Sequence, residues 1–213
     1  SLHDALPISS MLRAENPYPD IEQALPMSKK LRTLILPGLG NSGPDHWQSL
    51  WERQDSSCQR VEQNEWDAPR CEDWVASLDA AVAERDDPAV LVAHSAACAL
   101  VMHWMVTASA PHRQRIRGAL LVSPADPDGP NFPEGPTGFG PMPLHRLPFP
   151  SVVVASTDDP YIDAPCAKKF AEAWGSRFVL LQAAGHVNAS SGLGSWPQGF
   201  ALLDSLRGVQ PAD

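Results

Sequence analysis

The sequence predicts a three-layer α/β/α fold on a mostly parallel six-stranded sheet, and three observations support it. Short apolar runs rich in β-branched residues alternate with longer segments of helical periodicity, the pattern of a parallel sheet covered on both faces. Over residues 89–99 the chain reads Ala-Val-Leu-Val-Ala-His-Ser-Ala-Ala-Cys-Ala: a strand, a lone serine at a sharp turn, then an apolar helix over 96–106. The length of 213 residues, 43% of them hydrophobic and 19% charged, suits one domain able to bury such a core, assigned to residues 27–213.

In chain order, residues 1–26 hold Pro7, Pro17, Pro19 and Pro26 without periodicity and read as a disordered or non-native tail. Residues 1–9 look like translated adapter sequence, and Met27 is a candidate start. A strand over 33–36 runs into Pro37-Gly38-Leu39-Gly40-Asn41-Ser42-Gly43, and Pro44-Asp45-His46-Trp47 opens a helix with proline near its first turn. A weak strand follows over 60–66, then an amphipathic helix over 71–84 with Trp74, Leu78, Ala81 and Val82 on one side. The central strand lies at 91–93, a fourth at 117–123, a fifth at Ser151–Ser156 and a sixth at 178–181. Helices over Ala164–Trp174 and Pro197–Leu206 complete the series. The Pro- and Gly-rich segment 125–150 stands where a crossover helix is expected and is assigned to the roof of a substrate pocket, an irregular crossover being the alternative.

A net charge of −9 and the lack of a basic patch exclude nucleic acid and anionic membrane as partners. The four cysteines show no C-x-x-C spacing, so a reduced cytoplasmic setting is expected. No apolar run approaches the about 20 residues that span a bilayer, and the amino terminus lacks a signal-peptide pattern. No cofactor or metal is expected, and the sequence does not fix an oligomeric state.

Ser95, at a strand-to-helix turn, has the setting of a nucleophile elbow, with small residues Ala93 and Ala97 where the turn brings Cα atoms against neighbouring backbone. A serine hydroxyl needs a base to take its proton and an acid to orient that base. The fifth strand runs into Asp158-Asp159-Pro160-Tyr161, and the sixth into Gly185-His186. Asp159 precedes proline, which favours an extended conformation, and is the candidate acid. Asp158 is expected to face solvent or a loop N–H, and Asp163 to cap the following helix.

Of seven histidines, His186 is the candidate base. His3 falls in the tail, His112 in a helix-end loop, His145 in the Pro-rich segment, and His103 on the helix after Ser95. His46, in the opening turn of its helix, suits a structural or substrate-facing role, and the His94 side chain is expected to diverge from Ser95. Gly38-x-Gly40-x-x-Gly43 also matches a dinucleotide fingerprint, but Pro44 removes an N–H and Asp45 adds negative charge where a phosphate would bind. An oxyanion loop fits better, with the N–H groups of Leu39 and Ala96 as donors.

Together, the 37–47 loop, His94-Ser95, Ser156-Thr157-Asp158-Asp159-Pro160-Tyr161 and Gly185-His186-Val187-Asn188 resemble the small serine hydrolases of the retinoblastoma-binding-protein-9 / YdeN type, over about residues 31–206. The resemblance implies an α/β-hydrolase domain without a large cap and a Ser95-Asp159-His186 triad. It also implies hydrolysis of a small ester or amide. Asn41, His46, Trp47 and Tyr161, from the same motifs, are the candidate pocket residues, and the Ser191-Gly192-Leu193-Gly194-Ser195-Trp196 segment is expected to shape the pocket wall. The alanines flanking Ser95 replace the family's usual glycines. The leading reading is hydrolysis of a small carboxylic ester through an acyl-enzyme. The alternatives are an amidase or aminopeptidase-like hydrolase, and a hydrolase-fold binding module with little turnover.

Overall fold

The computed structural model describes residues 31–208, so the expected tail over 1–26 and Met27 lie outside the described residues. The apolar runs become β1 (Arg32–Leu36), β2 (Cys58–Arg60), β3 (Ala89–His94), β4 (Ile116–Val122), β5 (Ser151–Ser156) and β6 (Arg177–Leu181). They pair in the order β2-β1-β3-β4-β5-β6, and every neighbouring pair is parallel, so the sheet is parallel throughout rather than mostly.

Alternate residues of each strand enter opposite cores, as the two-residue period of a strand requires. Leu34, Leu36, Leu91, Ala93, Leu121 and Val153 face one core, with Trp74 and Leu78 of α2 (Cys71–Ala83), nearly the whole of α3 (Ala96–Thr107), and Phe170 and Trp174 of α5 (Ala164–Trp174). Ile35, Val90, Val92, Leu120 and Val154 face the other, against Trp47 and Trp51 of α1 (Trp47–Gln54) and Leu203 of α6 (Pro197–Leu206). Helix α3 is buried over 96–102 and at Trp104, consistent with the apolar run that opens it, and only its last turn, with Val106 54% exposed, reaches the surface. Among the described residues no helix is long and apolar enough to cross a membrane.

Two elements, β2 and the helix around His112, differ from the sequence reading. The strand expected over 60–66 ends at Arg60, because after Val61 N–H bonds Ile35 O at 2.9 Å the chain turns away. Residues 62–65 offer no apolar side chain to hold a longer edge strand, and the Glu65 carboxylate instead caps the N–H groups of Asp67 and Ala68. A short helix, α4 (Ala110–Arg115), occupies the supposed loop around His112, capped by Ser109 and with Pro111 in its first turn. It buries no side chain, so it leaves no apolar stripe in the sequence. Segment 125–150 is an ordered crossover whose Phe139, Met142, Leu147 and Phe149 are buried in the α2/α3/α5 core. His103 Nε2 donates to Phe139 O at 2.7 Å, tying this segment to α3.

Candidate active site

The chain leaves β1 toward β2 and returns past it to β3, so the strand order reverses between β1 and β3. A crevice forms at such a point beyond the strands' carboxyl ends. Ser95 stands there at φ 59°, ψ −127°, a conformation few non-glycine residues adopt, with its N–H bonded to Val122 O of β4 at 3.0 Å. Among the described residues, five of the six non-glycine residues with positive φ lie on loops at this edge: Asn41, Ser95, Ser123, Ala183 and Val187. Such strain, on the order of 1–3 kcal/mol per residue, persists where surrounding structure enforces it.

The loop after β1 lies directly on the elbow. A Cβ at Gly38 would sit 2.7 Å from Ser95 Cβ and 3.0 Å from His94 O, so only glycine fits. Gly43 has nothing within 4 Å of a built Cβ, so the third glycine of the apparent fingerprint has no packing requirement. Arg60, at the end of β2, fixes this loop by donating to Asn41 Oδ1 at 2.7 Å and Ser42 O at 3.0 Å. From below, Gln48 Nε2 donates to Leu36 O and Val92 O at 3.2 Å each, bridging the ends of β1 and β3.

Asp159 follows β5 and His186 follows β6. His186 Nε2 lies 2.8 Å from Ser95 Oγ, and its Nδ1 lies 2.8 and 2.9 Å from the two carboxylate oxygens of Asp159. A carboxylate only accepts, so Nδ1 carries the proton and Nε2 accepts from the serine hydroxyl. The Asp159 side chain is fully buried and also accepts the Tyr161 N–H at 3.0 Å. Asp158 points instead to the turn before His186, accepting from Ser156 Oγ and Gly185 N at 2.7 Å each; these bonds, the hydroxyl's first, hold its carboxyl below the usual range. Asp163 caps α5 through Cys166 N–H, as expected.

Two further histidines back the site. His94 Nε2 donates to the main-chain carbonyl of His186 at 2.9 Å, and the two rings lie 4.9 Å apart. Burial, then His186 and His46, push His94 well below the ordinary histidine value, so it stays neutral. This corrects the expectation that its side chain diverges from the site. His46 is the N-cap of α1 rather than a first-turn residue: its Nδ1 accepts the Gln48 N–H at 3.2 Å. Burial, Arg60 and His186 lower its pKa to about 4.

A cavity of about 200 Å³ opens over Ser95 and His186. Leu39, Asn41 and His46 form one side of it and Tyr161 and Asn188 another, while Ala125 and Pro133 are the parts of the 125–150 segment that reach it. Of the expected oxyanion donors, Leu39 lines this cavity, and Ala96 begins α3, where first-turn N–H groups have no helical acceptor. Trp47 does not line it. Its indole is buried against Trp51, Trp196 and His94, and Nε1 donates to Val187 O at 2.8 Å, anchoring the loop behind His186. The 191–196 segment likewise braces rather than walls the pocket: Ser191 Oγ donates to Ala184 O at 2.6 Å, and Trp196 stacks on Trp51.

A model of the serine hydrolase family matches residues 33–205. A solved structure described as a YdeN-like hydrolase from Pectobacterium atrosepticum is 30% identical, with 85% of this chain and 93% of that one covered and a TM-score of 0.74. The ydeN gene product of B. subtilis, 22% identical, aligns over 83% of this chain and 98% of its own with a TM-score of 0.61. A monoacylglycerol lipase from Paleococcus ferrophilus, 12% identical, aligns over 85% and 96% with a TM-score of 0.62, and like the B. subtilis protein it shares the fold. No curated protein sequence matches the chain. With most of its length matched by the family model and an α/β-hydrolase architecture, the chain belongs to the serine hydrolase family.

Proposed function

We propose that this hydrolase cleaves small carboxylic esters through a Ser95-His186-Asp159 triad and an acyl-enzyme. The observation that supports it most is the unbroken hydrogen-bond chain from Ser95 Oγ through His186 to Asp159 at the floor of a cavity. Ser95 Oγ attacks the ester carbonyl carbon as His186 Nε2 takes its proton, and the resulting imidazolium is stabilised by the Asp159 carboxylate. The N–H groups of Leu39 and Ala96 receive the oxyanion. Collapse of the tetrahedral intermediate breaks the ester C–O bond, and His186 returns the proton to the departing alkoxide. Water, deprotonated by His186, then attacks the acyl carbonyl carbon, the bond to Ser95 Oγ breaks as His186 returns the proton to that oxygen, and the acid leaves.

Small substrates fit because the cavity, about 200 Å³, lies below the ~300–1,000 Å³ common for drug-sized ligands. Neutral ones fit because its lining holds no lysine, arginine, aspartate or glutamate. Comparing short acyl p-nitrophenyl esters with aminoacyl p-nitroanilides tests this. Turnover confined to the esters is expected. Preferential cleavage of the anilides makes the protein an amidase, and turnover of neither leaves a binding module.

A further inference from the structure

We infer that His46 reads the acyl group: its Nε2–H is held for an oxygen acceptor, so the preferred substrates are short acyl esters with an ether or hydroxyl oxygen in the acyl chain. This rests on the proposed hydrolase reading of Ser95 and His186.

The first observation is a fixed ring. As the N-cap of α1, His46 accepts the Gln48 N–H at Nδ1, so in the neutral ring the proton sits on Nε2. The second is an unmet donor. His46 is only 5% exposed, and among the described residues Nε2 is buried without a hydrogen-bond partner. Its polar neighbours are satisfied: Gln48 at both ends of its amide, Trp47 Nε1 on Val187 O, and His94 Nε2 on His186 O. A buried donor left open among satisfied neighbours invites an acceptor from outside the chain.

The third observation is place. His46 belongs to the wall of the cavity that also contains Ser95 and His186, next to Leu39 and Asn41 and against His94, 4.8 Å away between ring centroids. That cavity has room for a short acyl group and no charged side chain to pair with an ionised one. A neutral N–H in such a wall is matched by an ether or hydroxyl oxygen and left unmet by an alkyl chain. A water bound there in the free enzyme does not change the sign, because an alkyl group displaces it without replacing its bond while an oxygenated group replaces it.

The test uses the near-isosteric p-nitrophenyl methoxyacetate and p-nitrophenyl butyrate, each kcat/KM divided by the ester's own hydroxide-catalysed rate constant. In the wild type the normalised ratio should favour methoxyacetate by about two- to tenfold, the value of one neutral hydrogen bond. Two variants separate recognition from helix capping. His46→Asn keeps a short side-chain oxygen to cap α1 but removes the distal donor, and the ratio should fall to about one. His46→Gln places an N–H near the Nε2 position without the cap, and the preference should survive even if the melting temperature drops. A ratio lost in His46→Gln and kept in His46→Asn assigns His46 to capping alone and overturns the inference. Should His46→Asn fail to fold, the wild-type ratio decides. A wild type that reacts with a fluorophosphonate and cleaves both esters at a normalised ratio of one overturns the role of His46 only. A wild type that neither reacts nor cleaves overturns the hydrolase reading as well.

Discussion

His94 Nε2 donates to the carbonyl oxygen of His186 at 2.9 Å, so the residue just before Ser95 in sequence holds the backbone of the residue whose ring touches Ser95. The contact is buried and ties the end of β3, next to the serine, to the loop after β6 that carries the histidine. His94→Phe removes the donor and leaves a buried carbonyl unmet, which should lower stability by about 1–3 kcal/mol. The base should lose its alignment, with kcat falling on the order of 10- to 100-fold and KM changing little. Steady-state kinetics on a p-nitrophenyl ester, with thermal melting alongside, reads both effects, and an unchanged kcat would remove His94 from the positioning of His186.

The adjacent carboxylates have separate tasks. Asp159 meets His186 Nδ1, whereas Asp158 ties Ser156 to Gly185. Asp159→Asn should cost on the order of 10⁴ in kcat, as loss of the acid does in the protease triad. Asp158→Asn should cost much less and act through looser placement of the turn at Gly185. Assay of both variants under identical conditions tests the order, and the reverse order would move the acid by one residue.

Glycine is required at one end of the first loop and not at the other. Gly38→Ala forces a Cβ to 2.7 Å from Ser95 Cβ and should lower kcat/KM by about 10²-fold or more, whereas Gly43→Ala, with open space around its Cβ, should behave like wild type. Equal effects of the two substitutions would mean that the loop does not rest on the elbow.

Much of this arrangement is legible in the sequence because local chemistry and tertiary role agree. Helices α5 and α6 begin at proline or an aspartate cap, and β5 is an unbroken Val-rich run, so their limits follow from composition alone. Ser95, Asp159 and His186 stand out because each follows a strand. The direction of a side chain at a turn is not written locally, which hid the contact from His94 to His186. Trp47 shows the converse: Trp51, four residues on, marks a shared helix face and so a buried one, a signal outweighed by the nearness of Trp47 to the glycine loop. Helix α4 could not be read because it buries nothing.

Acid should destabilise the fold through His46. Its pKa lies near 4 in the folded chain against an ordinary value of 6.5, because burial, reinforced by Arg60 and His186, disfavours the imidazolium. Between those values the unfolded chain binds a proton that the folded chain does not, so stability is full above the ordinary value and declines as pH falls through the window. The His46 share of the loss between pH 7 and 5 is roughly 2 kcal/mol. His94, lowered in the same direction, adds to it. Denaturant unfolding at both pH values should show a shallower dependence in His46→Asn than in wild type, and equal dependence would place the proton uptake elsewhere.

Covalent capture of Ser95 is the most direct measurement. Incubation with a fluorophosphonate, followed by intact-mass and peptide mass spectrometry, should give one adduct per chain, on the peptide holding Ser95. Ser95→Ala should fold as wild type does and take up no adduct, since the substitution removes one hydroxyl and no core packing. Wild-type labelling in Ser95→Ala, or an adduct on any other residue of the wild-type chain, would contradict the assignment of Ser95 as the nucleophile.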